Sequence, residues 1–375
     1  MHFQLSHLLA LAPLVASHTT FTNLYVDGVN QGDGVCVRMN PDAEKCTYPI
    51  EPASSKDIAC GVHGEKGVKR ICPAEATSLL TFEFREWTDG SKPGSAIDPS
   101  HKGPCAVYMK HVDDASADNN AAGDGWFKIW EMGYDESAGK WCTEKLNDNK
   151  GLLSAHIPEG LKGGYYLVRP ELLALHATQD DPADPQFYTG CAQVFVKGSD
   201  NGVVPEGVHI GEGTYDLSNP ALTFNIYESP MKLPYPRVGP KVWEGAGSKA
   251  RREQSTKLVQ GKGLKPEGCI LERDDWCGYE VPAYDNEDGC WESSSKCWDQ
   301  CAVCWETTLP TGGASCQIWE DKCNALDDAC NGGDFHGPPN KGKDLTPEPK
   351  KPLGSLEPFA LGSSKRSERS RRSRF

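Results

Sequence analysis

A histidine that follows a short apolar segment is the first residue of this chain whose type and place suggest chemistry. His18 comes directly after residues 8–17, which are apolar and end in small side chains. That segment is too short to cross a bilayer, and we interpret residues 1–17 as a secretory signal peptide. Cleavage before His18 would give this residue two nitrogen ligands, its free α-amine and a ring nitrogen. A second histidine held opposite would complete a flat set of three nitrogen atoms, which suits Cu(II).

The second ligand that we predict is His101. It ends a loop and stands directly before a predicted strand over residues 105–112, which can hold the ring in place. The simpler interpretations remain open at this point, because His18 can be only the first residue of a strand. An isolated histidine such as His101 is also more often an ordinary surface residue.

A third group of polar residues lies further along the chain. His176 ends an apolar strand, while Gln186 and Tyr188 are two residues apart and therefore share one side of a strand. The phenol of Tyr188 can occupy an axial copper position, and His176 and Gln186 can hydrogen-bond a copper-bound oxygen species. The structural alternative makes Tyr188 a half-buried strand residue and His176 a hydrogen-bonded one.

Composition limits the classes of function. The chain has 375 residues, a formal net charge of −14 and 16 cysteines. An acidic protein is a poor candidate for binding nucleic acid. Many cysteines behind a signal peptide indicate disulfides and a secreted, extracellular protein. No apolar run after the leader is long enough for a membrane span, so we expect no membrane partner.

The elements that must position these residues are predicted to be strands. Residues 18–245 read as one all-β domain, and many short strands between turn residues favour an immunoglobulin-like β-sandwich with long loops. The loops over 29–58, 89–102 and 113–124 are where function is expected. The predicted strands cover residues 20–26, 79–87, 105–112, 165–176, 192–196 and 222–227.

The remainder of the chain has a different composition. Residues 246–268 are interpreted as a linker, with Arg251-Arg252 as a protease-sensitive point. Residues 269–333 form a module rich in cysteine and tryptophan. Residues 334–375 are dominated by proline, glycine and basic residues, and we expect a disordered tail.

The cysteines of the module recur every seven residues, a step that returns to nearly the same face of a helix. A turn signal over residues 308–313 separates the two runs. Folding the chain back there places the cysteines opposite one another and predicts an antiparallel helical hairpin. The predicted disulfides are Cys290–Cys330, Cys297–Cys323 and Cys304–Cys316.

Other interpretations of the module remain open. It can be a loop-rich disulfide knot, or Cys301 and Cys304 can bind zinc, which is disfavoured in a secreted protein. A row of tryptophans follows the cysteines and can bind glucan, bind a partner or fill the module's own core, which we favour. The row consists of Trp291, Trp298 and Trp305, with Trp319 placed opposite Cys301. In the first domain Cys36–Cys46 is the short-range pairing that we consider.

Several segments between His18 and residue 243 resemble a fungal lytic polysaccharide monooxygenase of auxiliary activity family nine, formerly glycoside hydrolase family 61. Their order and spacing carry the resemblance. It implies one copper ion in a histidine brace made of the His18 amine and ring with His101. It also implies Tyr188 as axial residue, His176 and Gln186 in the outer sphere, and a Cys60–Cys191 disulfide. The segments are His18, residues 57–60, 101–104, 126–129, 172–176, 186–188 and 222–227.

The function implied by this resemblance is oxidative cleavage of a β-1,4-glucan, cellulose or a related polymer, at C1 and/or C4. The reaction uses oxygen or hydrogen peroxide and an external electron donor, and we expect a monomer. A copper-binding or cell-wall-binding protein that keeps the brace without catalysis is the alternative. The presence of His176, Gln186 and Tyr188 favours the enzyme. A hydrolase has little support, because no recognisable pair of carboxylates occurs.

Substrate contacts are predicted from aromatic residues. The resemblance places Tyr235 where a substrate-facing tyrosine often stands, and Tyr48 and Tyr215 are the other candidates in the long loops. The sequence departs from the family at Pro170, because the family often has a histidine directly after the arginine that corresponds to Arg169. The sequence also departs from the family at residues 238–240, which are Val-Gly-Pro where the family has Pro-Gly-Pro.

Overall fold

The structure is a computed structural model that describes residues 18–246 and 258–360. The predicted signal peptide and the Arg251-Arg252 point lie outside the described residues, as do the last fifteen residues of the chain. Within the described residues, no helix is both long and apolar enough to cross a membrane.

The first domain consists mainly of strands, with one short 3-10 helix at Lys56–Ala59 and one α-helix, α1, at Cys142–Asp148. In chain order the strands are β1 (Thr20–Val26), β2 (Val29–Asp33), β3 (Val37–Arg38), β4 (Cys72–Glu75), β5 (Leu79–Arg85), β6 (Cys105–Val112), β7 (Gly123–Met132), β8 (Tyr134–Asp135), β9 (Lys140–Trp141), β10 (Leu152–His156), β11 (Gly164–Ala177), β12 (Asp184–Thr189), β13 (Cys191–Lys197) and β14 (Val208–Ile210).

Two sheets form the predicted sandwich, which is thereby confirmed. The smaller sheet has the order β10-β5-β1-β2, and the larger has the order β14-β7-β6-β11-β13-β3. The long strand β11 lies at the centre of the larger sheet. It pairs with β6 on one side and, on the other, with β13 over its first half and β12 over its second.

The larger sheet is buried on both faces. Along β6, Val107 and Met109 belong to the core shared with the smaller sheet, whereas Ala106 and Tyr108 belong to a second core. This alternation follows from the two-residue period of a strand. The second core also contains Phe187 of β12, Trp141 of β9 and Phe224 of the loop after β14.

One predicted strand is wrong. Residues 222–227 have no ladder partner and form an irregular segment. Leu222 and Phe224 are buried in the second core. The apolar alternation of this segment therefore reflects packing of a loop onto the face of the larger sheet rather than pairing at its edge.

The second domain confirms the predicted helical hairpin. A small sheet of β15 (Cys269–Arg273) and β16 (Trp276–Tyr279) precedes α2 (Glu287–Glu306) and α3 (Ala314–Asn331). The side chain of Asn286 caps α2 by accepting a hydrogen bond from the Gly289 amide. The structure contains Cys290–Cys330, Cys297–Cys323 and Cys304–Cys316, the pairings that the seven-residue spacing predicts.

The other cysteines correct two sequence-based interpretations. The suggested Cys36–Cys46 pairing is wrong, because Cys36 is joined to Cys72 and Cys46 is a buried free thiol. A zinc site through Cys301 and Cys304 is ruled out, because Cys304 is bonded to Cys316. The structure also contains Cys60–Cys191, Cys105–Cys142 and Cys269–Cys277.

The segments predicted as linker and tail contact the two domains over much of their length. Gln260 donates to the carbonyl of Ile71, and the amide of Leu345 donates to the carbonyl of Ile270. Near residue 360, the ring of Phe359 lies 6.3 Å from that of Trp130. Residues 334–360 thus form a strap along the two domains, and the rest of the expected disordered tail, residues 361–375, lies outside the described residues. Composition does not predict these contacts, because they join the strap to residues far away in the chain.

Candidate copper centre

Three parts of the fold converge at one end of the larger sheet. His18 stands before β1, His101 stands four residues before β6, and His176 lies at the end of β11. The second half of β11 pairs with β12 so that Leu172 faces Tyr188 and Ala174 faces Gln186. On its other side Leu172 faces Cys105, which brings the His101 loop to the same end. All five residues predicted from the sequence therefore lie in one region.

The aromatic rings in this region lie at contact distances. The His18 ring centroid lies 5.9 Å from that of His101 and 6.1 Å from that of Tyr188, and the His101 and Tyr188 centroids are 6.0 Å apart. His176 packs closer, with its centroid 4.0 Å from that of His101. Two imidazoles and a phenol thus surround one point at nearly equal distances.

The imidazole of His101 is oriented by its own loop. The Ser100 hydroxyl lies 3.2 Å from Nδ1, and a carboxylate oxygen of Asp98 lies 3.9 Å from the same nitrogen. Asp98 also accepts a hydrogen bond from the Ser100 amide at 2.8 Å, which closes the turn. Nε2 is buried and has no hydrogen-bond partner among the described residues. It is therefore the ring nitrogen left for a metal.

Burial favours the neutral form of the histidines of the site. It lowers the pKa of His101 to about 4, with further lowering from the neighbouring His176. Burial is also the main cause that lowers the pKa of His18 and of His176. Neutral imidazole is the form that ligates metals, so the environment favours a metal site over a pair of charged histidines.

Tyr188 and Gln186 form a fixed pair beside the histidines. The buried Tyr188 hydroxyl donates to Gln186 Oε1 at 2.9 Å, and Gln186 Nε2 donates to an Asp184 carboxylate oxygen at 2.8 Å. Burial raises the pKa of Tyr188, so its phenol stays protonated. Nδ1 of His176 is buried without a partner among the described residues and is available to a bound molecule.

The donor set present fits a copper ion held by few side chains. No group of three or more His, Cys, Asp or Glu side chains within residues 18–246 and 258–360 is placed to hold a metal. The predicted site needs only two such side chains, since its third nitrogen is the amine that cleavage before His18 would create. The unpaired Nε2 of His101, together with the His18 ring whose centroid lies 5.9 Å from that of His101, meets this requirement.

The predicted substrate-contacting tyrosines require correction. Tyr48 is 55% exposed, and its ring centroid lies 5.1 Å from that of His18, as expected for a residue beside the site. Tyr215 is buried, stacked on Phe187 at 4.4 Å, so its ring offers no free face. Tyr235 is half-buried with its ring edge-on to Trp141, and its hydroxyl donates to a backbone carbonyl. Both are packing residues of the second core.

Sequence reasoning missed three residues of this region. Asp98 and Ser100 orient His101, and the Asp-Pro-Ser-His sequence was the available signal, since aspartate and serine favour such turns. Tyr227 was overlooked because residues 222–227 were expected to be a strand. Its side chain is 65% exposed, and its hydroxyl donates to the carbonyl of His176 at 3.1 Å.

Comparison with known proteins identifies the family. The model of "Auxiliary Activity family 9 (formerly GH61)" matches residues 18–235. The "AA9 family lytic polysaccharide monooxygenase C" of Aspergillus tamarii is 65% identical over 361 residues, covering 95% of this chain and 96% of that protein. The "AA9 family lytic polysaccharide monooxygenase H" of Botryotinia fuckeliana is 46% identical, covering 87% of this chain and 76% of that protein.

Among solved structures, the one titled "CvAA9A" superposes with a TM-score of 0.54 at 35% identity. It covers 60% of this chain and 98% of that one, a share of the chain close to the length of the sandwich domain. The chain therefore belongs to Auxiliary Activity family 9 and is an enzyme of the lytic polysaccharide monooxygenase class.

Proposed function

We propose that the mature protein is a secreted, monomeric, copper-dependent enzyme that cleaves β-1,4-glucan chains by oxidation at C1 and/or C4. The observation that carries this proposal is the arrangement of His18 and His101. The two imidazole rings lie edge to face with their centroids 5.9 Å apart, and the buried Nε2 of His101 has no hydrogen-bond partner among the described residues. Family membership supplies the reaction class.

One copper ion would be held by the amine and ring of His18 and by Nε2 of His101, with the phenol of Tyr188 beside it. Bound copper, reduced by an external donor, would supply activation of oxygen or hydrogen peroxide for removal of a sugar hydrogen atom. The protein residues place and restrict this chemistry. The phenol of Tyr188 is held by Gln186, so this position is fixed before a substrate arrives.

His176 provides a hydrogen-bonding group beside His101. Its ring lies 4.0 Å from the His101 ring, and its Nδ1 is free to bond a small oxygen species at the site. The Tyr227 hydroxyl holds the backbone of His176 from the exposed side. We propose that this arrangement orients an oxygen co-substrate and moves a proton to or from it.

The glucan would lie across the surface between Tyr48 and Tyr227. These are the exposed aromatic rings that contact His18 and His176 respectively. Aromatic faces stack on the apolar faces of sugar rings, which suits a neutral polysaccharide. Tyr215 and Tyr235 are not part of this surface.

Product analysis tests the proposal. The mature protein, loaded with copper and supplied with a reductant, is incubated with cellulose and related β-1,4-glucans, and products are identified by mass spectrometry. Oxidised oligosaccharides are expected, and the position of oxidation distinguishes C1 from C4. His101→Ala is the matched control and should release none. Tight copper binding without any oxidised product would instead support the non-catalytic alternative.

A further inference from the structure

The helix α2 carries a repeated unit that the copper centre does not use. The unit is a cysteine, a tryptophan and an acidic residue, and it recurs every seven residues. The cysteines face α3 and form the disulfides, so the tryptophans share a neighbouring face of the same helix. The three units are Cys290-Trp291-Glu292, Cys297-Trp298-Asp299 and Cys304-Trp305-Glu306.

The tryptophan row is not the core of its module, which corrects the interpretation favoured by the sequence. Trp291 is 41% and Trp305 is 44% exposed, while Trp298 is half-buried. The interior is filled instead by the disulfides together with Trp276 and Trp319. Exposed large aromatic side chains in a regular row point to a binding surface.

Two of the three rings are held in place by α3 and its first turn. The indole of Trp305 lies over Gly313, where a Cβ would collide with the ring. The indole N–H of Trp298 donates to an Asp327 carboxylate oxygen at 2.9 Å. These contacts hold the indoles of Trp298 and Trp305 on the side of α2 that lies next to α3. Fixed rings lose little entropy when a ligand stacks on them.

The spacing of the tryptophan row fits an extended ligand whose chemical units repeat at the same interval. Seven residues of an α-helix advance about 10.5 Å, and the face drifts by only about 20° per step. A β-1,4-glucan chain presents the same sugar face every second unit, at nearly this interval. Successive indoles would therefore meet equivalent sugar faces along a single chain.

Charge excludes several other ligands. Residues 269–333 contain fourteen acidic and three basic side chains, a formal net charge of −11. Such a surface repels nucleic acids, acidic polysaccharides and anionic membranes. Glu292, Asp299 and Glu306 are exposed beside the indoles and can accept hydrogen bonds from sugar hydroxyls. A neutral polysaccharide fits both features.

The row ends where the hairpin docks on the first domain. The turn after α2 docks on the first domain, where the Thr88 hydroxyl donates to the carbonyl of Pro310 at 2.7 Å. Thr88 also contacts the thiol of Cys46, and the next residue, Thr47, accepts a hydrogen bond from the amide of Thr19. Trp305 therefore lies at the end of the hairpin that is anchored on the first domain, next to residues 46–47.

We propose that Trp291, Trp298 and Trp305 form a binding site for a single extended β-1,4-glucan chain at a cellulose surface, tethering the enzyme to its substrate. The choice of this glucan rests on the proposed function of the copper centre. The binding itself is a property of the second domain and is measured without catalysis.

Adsorption of the full mature chain to microcrystalline cellulose tests the proposal. Trp291→Ala/Trp305→Ala should weaken adsorption about tenfold, since two stacking contacts are lost. Trp291→Phe/Trp305→Phe should retain part of it. Tyr279→Ala is the matched control, because Tyr279 is an exposed aromatic of the same module that lies against Gln300, on another face of α2. It should adsorb like the wild type.

The same isotherms are measured in a His101→Ala background, where the copper chemistry is disabled. Loss of adsorption on replacing the tryptophans in that background supports the site even if no oxidised sugar is ever detected. Circular dichroism confirms that the variants are folded. Wild-type adsorption by the folded double alanine variant would overturn the proposal. So would a change from dimer to monomer in sedimentation with adsorption unaltered, since the row would then be a self-association surface.

Discussion

A buried ion pair on strand β11 gives the sharpest stability prediction. Arg169 is fully buried and Glu171 is nearly so, and a guanidinium nitrogen of Arg169 lies 2.6 Å from a Glu171 carboxylate oxygen. The same oxygen accepts a hydrogen bond from the Tyr215 hydroxyl at 2.6 Å. Arg169 also donates to the carbonyl of Ile58 at 3.0 and 2.7 Å. Both charged residues lie on β11, the strand that carries His176 near its end.

Glu171→Gln keeps the shape of the side chain but removes the charge that balances Arg169. Removing one partner of a buried pair costs about 3–5 kcal/mol of unfolding free energy. We expect a value near the lower end, about 3 kcal/mol, because glutamine still accepts from Tyr215 and Arg169 keeps its bonds to Ile58. For a domain of this size that corresponds to a fall in Tm of about 6–12 °C.

Differential scanning calorimetry of the metal-free mature protein at pH 7 measures the effect. The double variant Arg169→Met/Glu171→Gln removes the unbalanced cation as well, and it should be no less stable than Glu171→Gln alone. Copper affinity should be unchanged, because neither residue contacts the histidines. A fall of less than 2 °C for Glu171→Gln would refute the reasoning, since the pair would then contribute little.

Four further predictions follow from the described contacts. His101→Ala should abolish tight binding of one Cu(II) in calorimetric titration, and tight binding by this variant would exclude the proposed ligand set. Tyr188→Phe and Gln186→Ala should retain copper but release less oxidised product, because both proposed copper-binding histidines are left in place; unchanged turnover would make the pair purely structural. Deleting residues 247–375 should preserve copper binding yet lower the Tm, because residues 258–360 cover part of the sandwich; an unchanged Tm would show that this cover is not stabilising. Burial and a nearby lysine lower the pKa of His111 in the folded protein. On acidification the unfolded chain therefore binds a proton at His111 before the folded protein does, so the unfolding free energy should fall as the pH drops through about 6.5. Urea titrations of His111→Gln should show a weaker dependence of the unfolding free energy on pH.

The sequence alone was sufficient for features that depend on short-range periodicity. A seven-residue step keeps cysteines on one helix face, and a turn between two such runs leaves one simple antiparallel pairing. The residues of the candidate copper centre were also accessible, because His18 and His101 stand just before strands, His176 lies at the end of one, and Gln186 and Tyr188 share one side of β12. Strand ends that alternate with loops bring such residues to one end of a sandwich.

The pairing of Cys36 shows what depends on the tertiary structure. Strands β3 and β4 lie beside the same strand, β13, with Val37 opposite Ala192 and Cys72 opposite Val194. Cys36 and Cys72 meet because both segments use one distant strand as their partner. Nothing in the local sequence near Cys46 indicates that its thiol stays unpaired.

The exposure of the aromatic residues was likewise decided by the fold. Tyr215 and Tyr235 occur in loops, as Tyr48 and Tyr227 do, yet the first two are packed in the second core. Whether a loop folds back onto a sheet face depends on contacts between residues far apart in the chain. The tryptophan row was instead expected to be buried and is largely exposed. Trp276 and Trp319 fill the interior of the module, so Trp291 and Trp305 remain at its surface. Periodicity determined which residues share a face, and only packing determined whether that face is covered.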